Sequence, residues 1–301
     1  NWNVIKVKNG NSYFWCSRAI AKAKRSSKPT IIIFNTTIGY GTSYAGTEKI
    51  HGIPLSDKEL IEYKNDLLMP NFTKFSQDVK DYCFRSIRYN KILLEKWKRM
   101  YCLYEQTHPE LCRQFESFIG EKETDVLKLL KPDVLQEEMS GREANQLILK
   151  ELMARQPRFV GGTADLAPSV KAYVKEFGDY SRNNRRGRNI HFGIREHAMG
   201  AICNGLSLYL ESPVFCSTFM AFSNYMIPPM RMSALMNLPV LYLFSHDSFK
   251  VGQDGPTHQP VEQLGQLRLI PNLNVFRPAD TNELLHCYKL ATDTEKPSAF
   301  A

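Results

Sequence analysis

The sequence predicts an α/β fold, with parallel sheets flanked by helices. From Arg142 onward, short apolar runs alternate with helical stretches: Arg158-Phe-Val160, Val214-Phe-Cys216, Pro239–Phe244 and Leu273–Phe276. Runs that are apolar at nearly every position, not at every second one, belong to strands covered on both faces, the hallmark of a parallel sheet. The residues least suited to packing gather directly after these runs, where open α/β sheets bind their ligands.

From the N-terminus, a helix is expected near Ser17–Lys24 and a strand over Pro29-Thr-Ile-Ile-Ile-Phe34. A glycine-rich turn, Gly39-Tyr-Gly-Thr-Ser-Tyr-Ala-Gly46, and the string His51-Gly-Ile-Pro-Leu55 follow. Ser56-Asp-Lys-Glu59 is a capping box, in which serine and glutamate side chains satisfy each other's backbone amides, so a helix starts there. Residues 66–140 are polar, rich in Lys and Glu and helical in period, with Val79–Gln106 the longest stretch. They read as a helical connector between a first region, 1–65, and a last one, 141–301. In the last region, Asn189–Phe192 is extended, and Gly193-Ile-Arg-Glu-His-Ala-Met-Gly200 opens a helix of small and apolar residues, Ala198–Tyr209.

A length of 301 residues supports two domains with a substantial core. No apolar run reaches the length of a membrane span, and no signal-peptide pattern opens the chain. The seven cysteines include no C-x-x-C pair, and an odd count argues for a reducing compartment, hence a cytoplasmic protein. The net charge of +8 admits nucleic acid or an anionic small substrate. Basic residues at Lys22–Lys28 and Arg182–Arg188 lack stacking aromatics or a binding motif, so solvated loops are expected there, with no nucleic-acid or membrane partner. The chain opens on Asn1 and closes just after Pro-Ser-Ala-Phe, which suggests a piece of something longer.

Four places carry candidate chemistry. Glu196 lies where a buried helix begins, beside glycines that permit close approach; a buried carboxylate can hold a proton at neutral pH. An inert acid at a helix start is the alternative. After Val160 comes Gly161-Gly-Thr-Ala-Asp165-Leu-Ala-Pro-Ser169; after Phe244 come Ser245-His246-Asp247-Ser248 and Asp254-Gly-Pro-Thr-His258-Gln-Pro260. Such loops are poor packing material but suit a polyol. Phe219, Phe222 and Tyr225 recur at every third residue, as a core stripe or as rings offered to a ligand.

Taken in order along the chain, Thr36-Thr-Ile-Gly-Tyr-Gly41, His51–Leu55, Gly161–Ser169, Gly193–Gly200, Ser245–Ser248 and Asp254–Pro260 resemble transketolase. The resemblance implies a thiamine diphosphate-binding fold: the end of the diphosphate-binding domain over 1–65, inter-domain helices over 66–140, and a pyrimidine-binding domain over 141–301, truncated at its end. It implies thiamine diphosphate as cofactor, held through Mg²⁺ or Ca²⁺, and transfer of a two-carbon ketol unit from a ketose phosphate to an aldose phosphate. Glu196 then hydrogen-bonds the pyrimidine N1′, while Phe222 stacks on the pyrimidine, with Phe219, Tyr225, Asp165 and Leu166 around the cofactor. Arg142, Ser169 and His246 contact the substrate phosphate, Asp254 reads a sugar hydroxyl, and His51 and His258 flank the reacting carbonyl. A homodimer is implied too, with the site between subunits and the Glu196 helix at the interface.

The metal-binding G-D-G motif of the family, with its Asn about thirty residues later, is absent, so no metal ligand is expected in this chain. The phosphate-binding arginine expected after Ser298-Ala-Phe300 is absent as well, and the polypeptide alone is expected to be inactive. Dihydroxyacetone synthase and a non-catalytic transketolase-like partner protein are the competing assignments.

Overall fold

A computed structural model describes residues 2–69, 75–120, 139–294 and 296–301. The chain folds as two compact units, Asn1–Cys102 and Leu103–Ala301.

In the first unit, β1 (Asn3–Val7) and β2 (Thr30–Phe34) pair in parallel, Asn3 opposite Thr30 and Val7 opposite Phe34. Parallel strands need a crossover, here α1 (Tyr13–Lys24). The sequence reading missed β1, Asn-Val-Ile-Lys-Val, whose side chains alternate in exposure but not in polarity. The glycine-rich turn is real: Gly39 and Gly41 take φ of +63° and +86°, a conformation that costs glycine little. The capping box forms as expected, with the Ser56 hydroxyl at the Glu59 amide and the Glu59 carboxylate at the Ser56 amide, starting α2 (Asp57–Asp66). The Ser56 hydrogen bonds hold the Glu59 carboxyl below its usual range. Within the connector expected over 66–140, two helices are described, α3 (Gln77–Thr107) and α4 (Pro109–Ile119). Its residues 70–74 and 121–138 lie outside the described residues.

The second unit is built on a six-stranded, wholly parallel sheet in the order β4-β3-β5-β6-β8-β7. Its strands are β3 (Gly161–Thr163), β4 (Asn189–His191), β5 (Val214–Phe219), β6 (Val240–Ser245), β7 (Asn274–Phe276) and β8 (Ser298–Phe300). Both sheet faces are apolar because side chains alternate and helices cover each side. Phe215, Phe219, Leu241, Leu243 and Phe300 pack with Ile148 and Leu152 of α5 (Gly141–Arg155) and with Leu284 and Tyr288 of α10 (Thr281–Asp293). Val214, Cys216, Val240 and Tyr242 pack the other way, with Met199 and Cys203 of α7 (Glu196–Leu210) and with Met230 and Ala234 of α8 (Ile227–Met236). Two short helices, α6 (Ala167–Val170) and α9 (Gln263–Arg268), complete the unit.

Two expectations shift. The strand placed at Arg158–Val160 lies three residues later, on Gly161-Gly-Thr163. β3 is squeezed between two neighbours: a Cβ on Gly161 would meet the Phe215 carbonyl oxygen at 2.1 Å, and one on Gly162 the Ile190 carbonyl at 1.7 Å. Glycines that look like a loop in sequence are what lets this strand fit. The basic run 182–188 stays exposed through Arg186, as expected, but is drawn in at its end. Arg185 stacks over Tyr180 at 5.5 Å, and half-buried Arg188 lies 4.0 Å over Phe177 while donating to the Gln156 carbonyl. Among the described residues, no helix is long and apolar enough to cross a membrane.

Candidate active site

The register of the sheet creates the site. Phe219 and Ser245, the last residues of β5 and β6, are lateral partners, so whatever follows each strand meets at one sheet edge. After Ser245 the backbone turns left-handed at His246, φ +57°. That turn brings the imidazole against the Phe219 ring, centroids 3.9 Å apart, with its Nδ1 2.9 Å from the Ser245 hydroxyl. After Phe219 the chain enters a 3₁₀ helix, Met220–Met226. Three residues per turn place every third side chain on one edge, which answers the question left by the aromatic spacing. Phe219 and Phe222 stack nearly parallel, 5.9 Å apart at 9°, and Phe222 reaches Tyr225 at 6.4 Å. His258, at the end of a single 3₁₀ turn from Pro256, stands edge-on to Phe222 at 5.1 Å and to Phe219 at 6.1 Å.

Charge gathers on the same edge. Burial, then the Arg142 guanidinium, hold the His246 imidazole below its ordinary range, with His258 adding to the effect and Asp254 and Asp247 opposing it. Arg142, Asp254 and His258, scattered over more than a hundred residues of sequence, thus all act electrostatically on His246. Arg142 stands in the first turn of α5 and its Nη1 donates to the Ser169 carbonyl at 2.7 Å, which joins two of the expected phosphate residues. Ser169 contributes its backbone here. A cavity of about 450 Å³ opens beside them, lined among others by Arg142, Asn145, His246, Asp247 and Asp280. The N-terminal ends of α5 and α10 face it, and helix N-termini carry partial positive charge.

The remaining expected residues are less gathered. Asp165, exposed and left-handed at φ +63°, lines a second hollow of about 440 Å³ with Lys171, Tyr173 and His191, while Leu166 packs against the core. Asp254 and Tyr225 are exposed. His51, in the first unit, is exposed just after the 3₁₀ turn Glu48–Ile50. The expectation of a buried Glu196 is corrected: its side chain, at the first position of α7, is half-buried in this chain. The sheet covers only one side of α7; Ile202, Leu208 and Tyr209 line its other side, Tyr209 being 86% exposed.

The sequence reading missed two partnerships. Arg277, just after β7, donates from Nε and Nη2 to Asp247 Oδ2 at 3.0 and 2.9 Å, tying the loops after β6 and β7 together. Asn145 accepts from the Tyr288 hydroxyl at 2.5 Å across 143 residues of sequence. Neither pair has a local signal. Among the described residues, no three His, Cys, Asp or Glu side chains converge as metal ligands would, so the residues present do not fit a metal–diphosphate group. They do fit a planar ring: Phe222 is half-buried, with Phe219 stacked alongside.

Residues 137–301 match the family "Transketolase, pyrimidine binding domain", and residues 1–123 match "Transketolase, thiamine diphosphate binding domain". Among curated relatives, transketolase of Aquifex aeolicus is 39% identical over 96% of this chain and 42% of its own length. The chloroplastic transketolase-1 of Arabidopsis thaliana is 40% identical over 100% of this chain and 42% of its own. Among solved structures, the Pichia stipitis transketolase complex with sedoheptulose-7-phosphate superposes with a TM-score of 0.87 at 31% identity, covering 100% of this chain and 46% of that one. The Campylobacter jejuni transketolase gives 0.86 at 35%, over 99% and 46%. The chain thus spans a little under half the length of the relatives it matches.

Proposed function

Because this chain belongs to the transketolase family, we propose that it supplies the pyrimidine-binding side of an enzyme transferring a two-carbon ketol unit from a ketose phosphate to an aldose phosphate. The observation that carries this reading is the packing of His246 and His258 against the stacked Phe219–Phe222 pair, with Arg142 and His246 lining one cavity. Thiamine diphosphate, when bound, supplies a nucleophilic carbon able to add to a ketone.

The residues of the chain then divide the work. Phe222 offers a ring face to the pyrimidine and, with Phe219 and Tyr225, keeps water from it. Glu196 shares a proton with the pyrimidine N1′; its half-burial is completed by a second copy of the chain laid along α7. The support for that partner is the exposed line of Ile202, Leu208 and Tyr209, broken by the small residues Ala201 and Gly205. Asp165 and Leu166 border the cofactor from the loop after β3. Arg142, whose planar fork suits a phosphate dianion, binds the substrate phosphate with Ser169 and His246. Asp254 reads a sugar hydroxyl, while His258 and His51 stabilise the negative charge that develops on the carbonyl oxygen. The functional division follows as 1–65, 66–140 and 141–301, with Mg²⁺ or Ca²⁺ bound outside this chain. Seven free cysteines support a cytoplasmic location, and neither nucleic acid nor membrane has a part.

Glu196→Gln in the full-length protein tests the reading. The amide cannot exchange a proton as the carboxyl does, so ketol transfer should fall by about 10²–10⁴-fold with the fold intact. Undiminished turnover would remove Glu196 from the chemistry.

A further inference from the structure

Arg142 and Asn145 stand at positions i and i+3 of α5, on one helix face, and both line the 450 Å³ cavity. They differ in depth. Arg142 is exposed at the rim, whereas Asn145 is only 9% exposed. The Asn145 amide is committed at one end alone: Oδ1 accepts the Tyr288 hydroxyl at 2.5 Å, and Nδ2 has no protein partner among the described residues. Tyr288 is fully buried and burial pushes its phenol far up, so it keeps its proton and needs that acceptor.

Several other polar groups of the cavity are engaged. Ser217 donates to the Leu243 carbonyl at 2.7 Å, Ser140 and Asp280 cap α5 and α10, and Asp247 holds Arg277. An amide N–H with no protein acceptor among the described residues, in a residue that lines the cavity, is available to a ligand there. Two helix N-termini and a guanidinium around it favour an anionic one.

We propose that Asn145 is a further substrate-binding residue, donating its amide N–H to a phosphate oxygen deep in the cavity, and that Tyr288 is its positioning residue. Tyr288 fixes which end of the amide faces inward. The inference rests on the reading of this cavity as the phosphate site. A phosphorylated sugar and free phosphate share the recognised group.

The test uses the full-length enzyme, with Arg142→Ala as comparator. KM is measured for a phosphorylated and an unphosphorylated ketose, and inhibition by inorganic phosphate is measured beside it. Asn145→Ala should raise KM for the phosphorylated ketose about tenfold and weaken phosphate inhibition equally, leaving kcat and the other KM within about twofold. Asn145→Asp keeps the Tyr288 contact but turns a negative charge toward the phosphate, so its loss should be larger. Tyr288→Phe should act in the same direction and more weakly.

Equal effects of Asn145→Ala on both substrates, or full phosphate inhibition in Asn145→Asp, overturn the proposal, provided Arg142→Ala still discriminates. If Arg142→Ala fails to discriminate as well, the phosphate site itself is misplaced and both readings fall. Should the alanine variant not fold, Asn145→Asp and Tyr288→Phe decide.

Discussion

The two units of this chain use apolar residues in opposite ways. In Leu103–Ala301 they disappear into two layers on either face of a six-stranded sheet. In Asn1–Cys102, Val7 and Ala19 are the buried hydrophobic residues among those described, while Trp2, Ile31, Ile33 and Trp97 all lie open. The difference shows what a strand-end site requires. Phe219 and His246 meet because their strands are locked in register by a core, whereas His51 lies exposed after a 3₁₀ turn of the first unit.

The largest effect that could break this contrast is in the cores. Phe215→Ala, at a fully buried ring stacked on Phe159, should cost about 3–5 kcal/mol in chemical denaturation, against about 1 kcal/mol or less for Ile33→Ala, whose side chain is half out. Similar costs would mean the first unit buries its strands after all.

Next comes the electrostatic coupling that the ordered unit makes possible. The folded His246 binds its proton less readily than an ordinary histidine, so the unfolded chain takes up protons first as pH falls. Its contribution is therefore intact above about pH 6.5 and is lost as pH drops through the lower folded midpoint. Removing the second-largest cause with Arg142→Ala should raise that midpoint toward the ordinary value and narrow the window, as read by NMR titration of the imidazole. An unmoved midpoint would mean that the two groups do not feel each other.

The smallest effect compares two capping boxes of the same chemistry. Ser140→Ala and Ser56→Ala should each cost their helix about 1 kcal/mol. Because α5 buries Ile148, Leu149 and Leu152, the first loss should appear in global unfolding. α2 buries nothing, so the second should appear only as faster amide exchange within Asp57–Asp66.

Much of this was legible in the sequence because it is written locally. The capping box at Ser56, the apolar runs that became β5 and β6, and the long helix expected over 79–106 each depend on neighbours a few residues away. The strand at Gly161-Gly-Thr163 was misplaced because its glycines answer to strands that arrive later in the chain. The period of three in Phe219, Phe222 and Tyr225 was visible, but not that a strand would hand over to a 3₁₀ turn in its midst. The Tyr288–Asn145 and Arg277–Asp247 contacts were invisible, since partners joined only by tertiary folding leave no spacing to read.

One feature of the sheet reaches into how the protein is made. β8, the latest strand in sequence, lies in the interior between β6 and β7, pairing Leu241–Leu243 on one side and Asn274–Phe276 on the other. During synthesis β7 leaves the ribosome with no strand to join, and it stays undocked until Ser298–Phe300 follows it. The Arg277–Asp247 tie and the cavity wall at Phe300 then close in one late step. Along this chain, then, the stacked Phe219–Phe222 pair can form before the strand that completes the cavity wall is made.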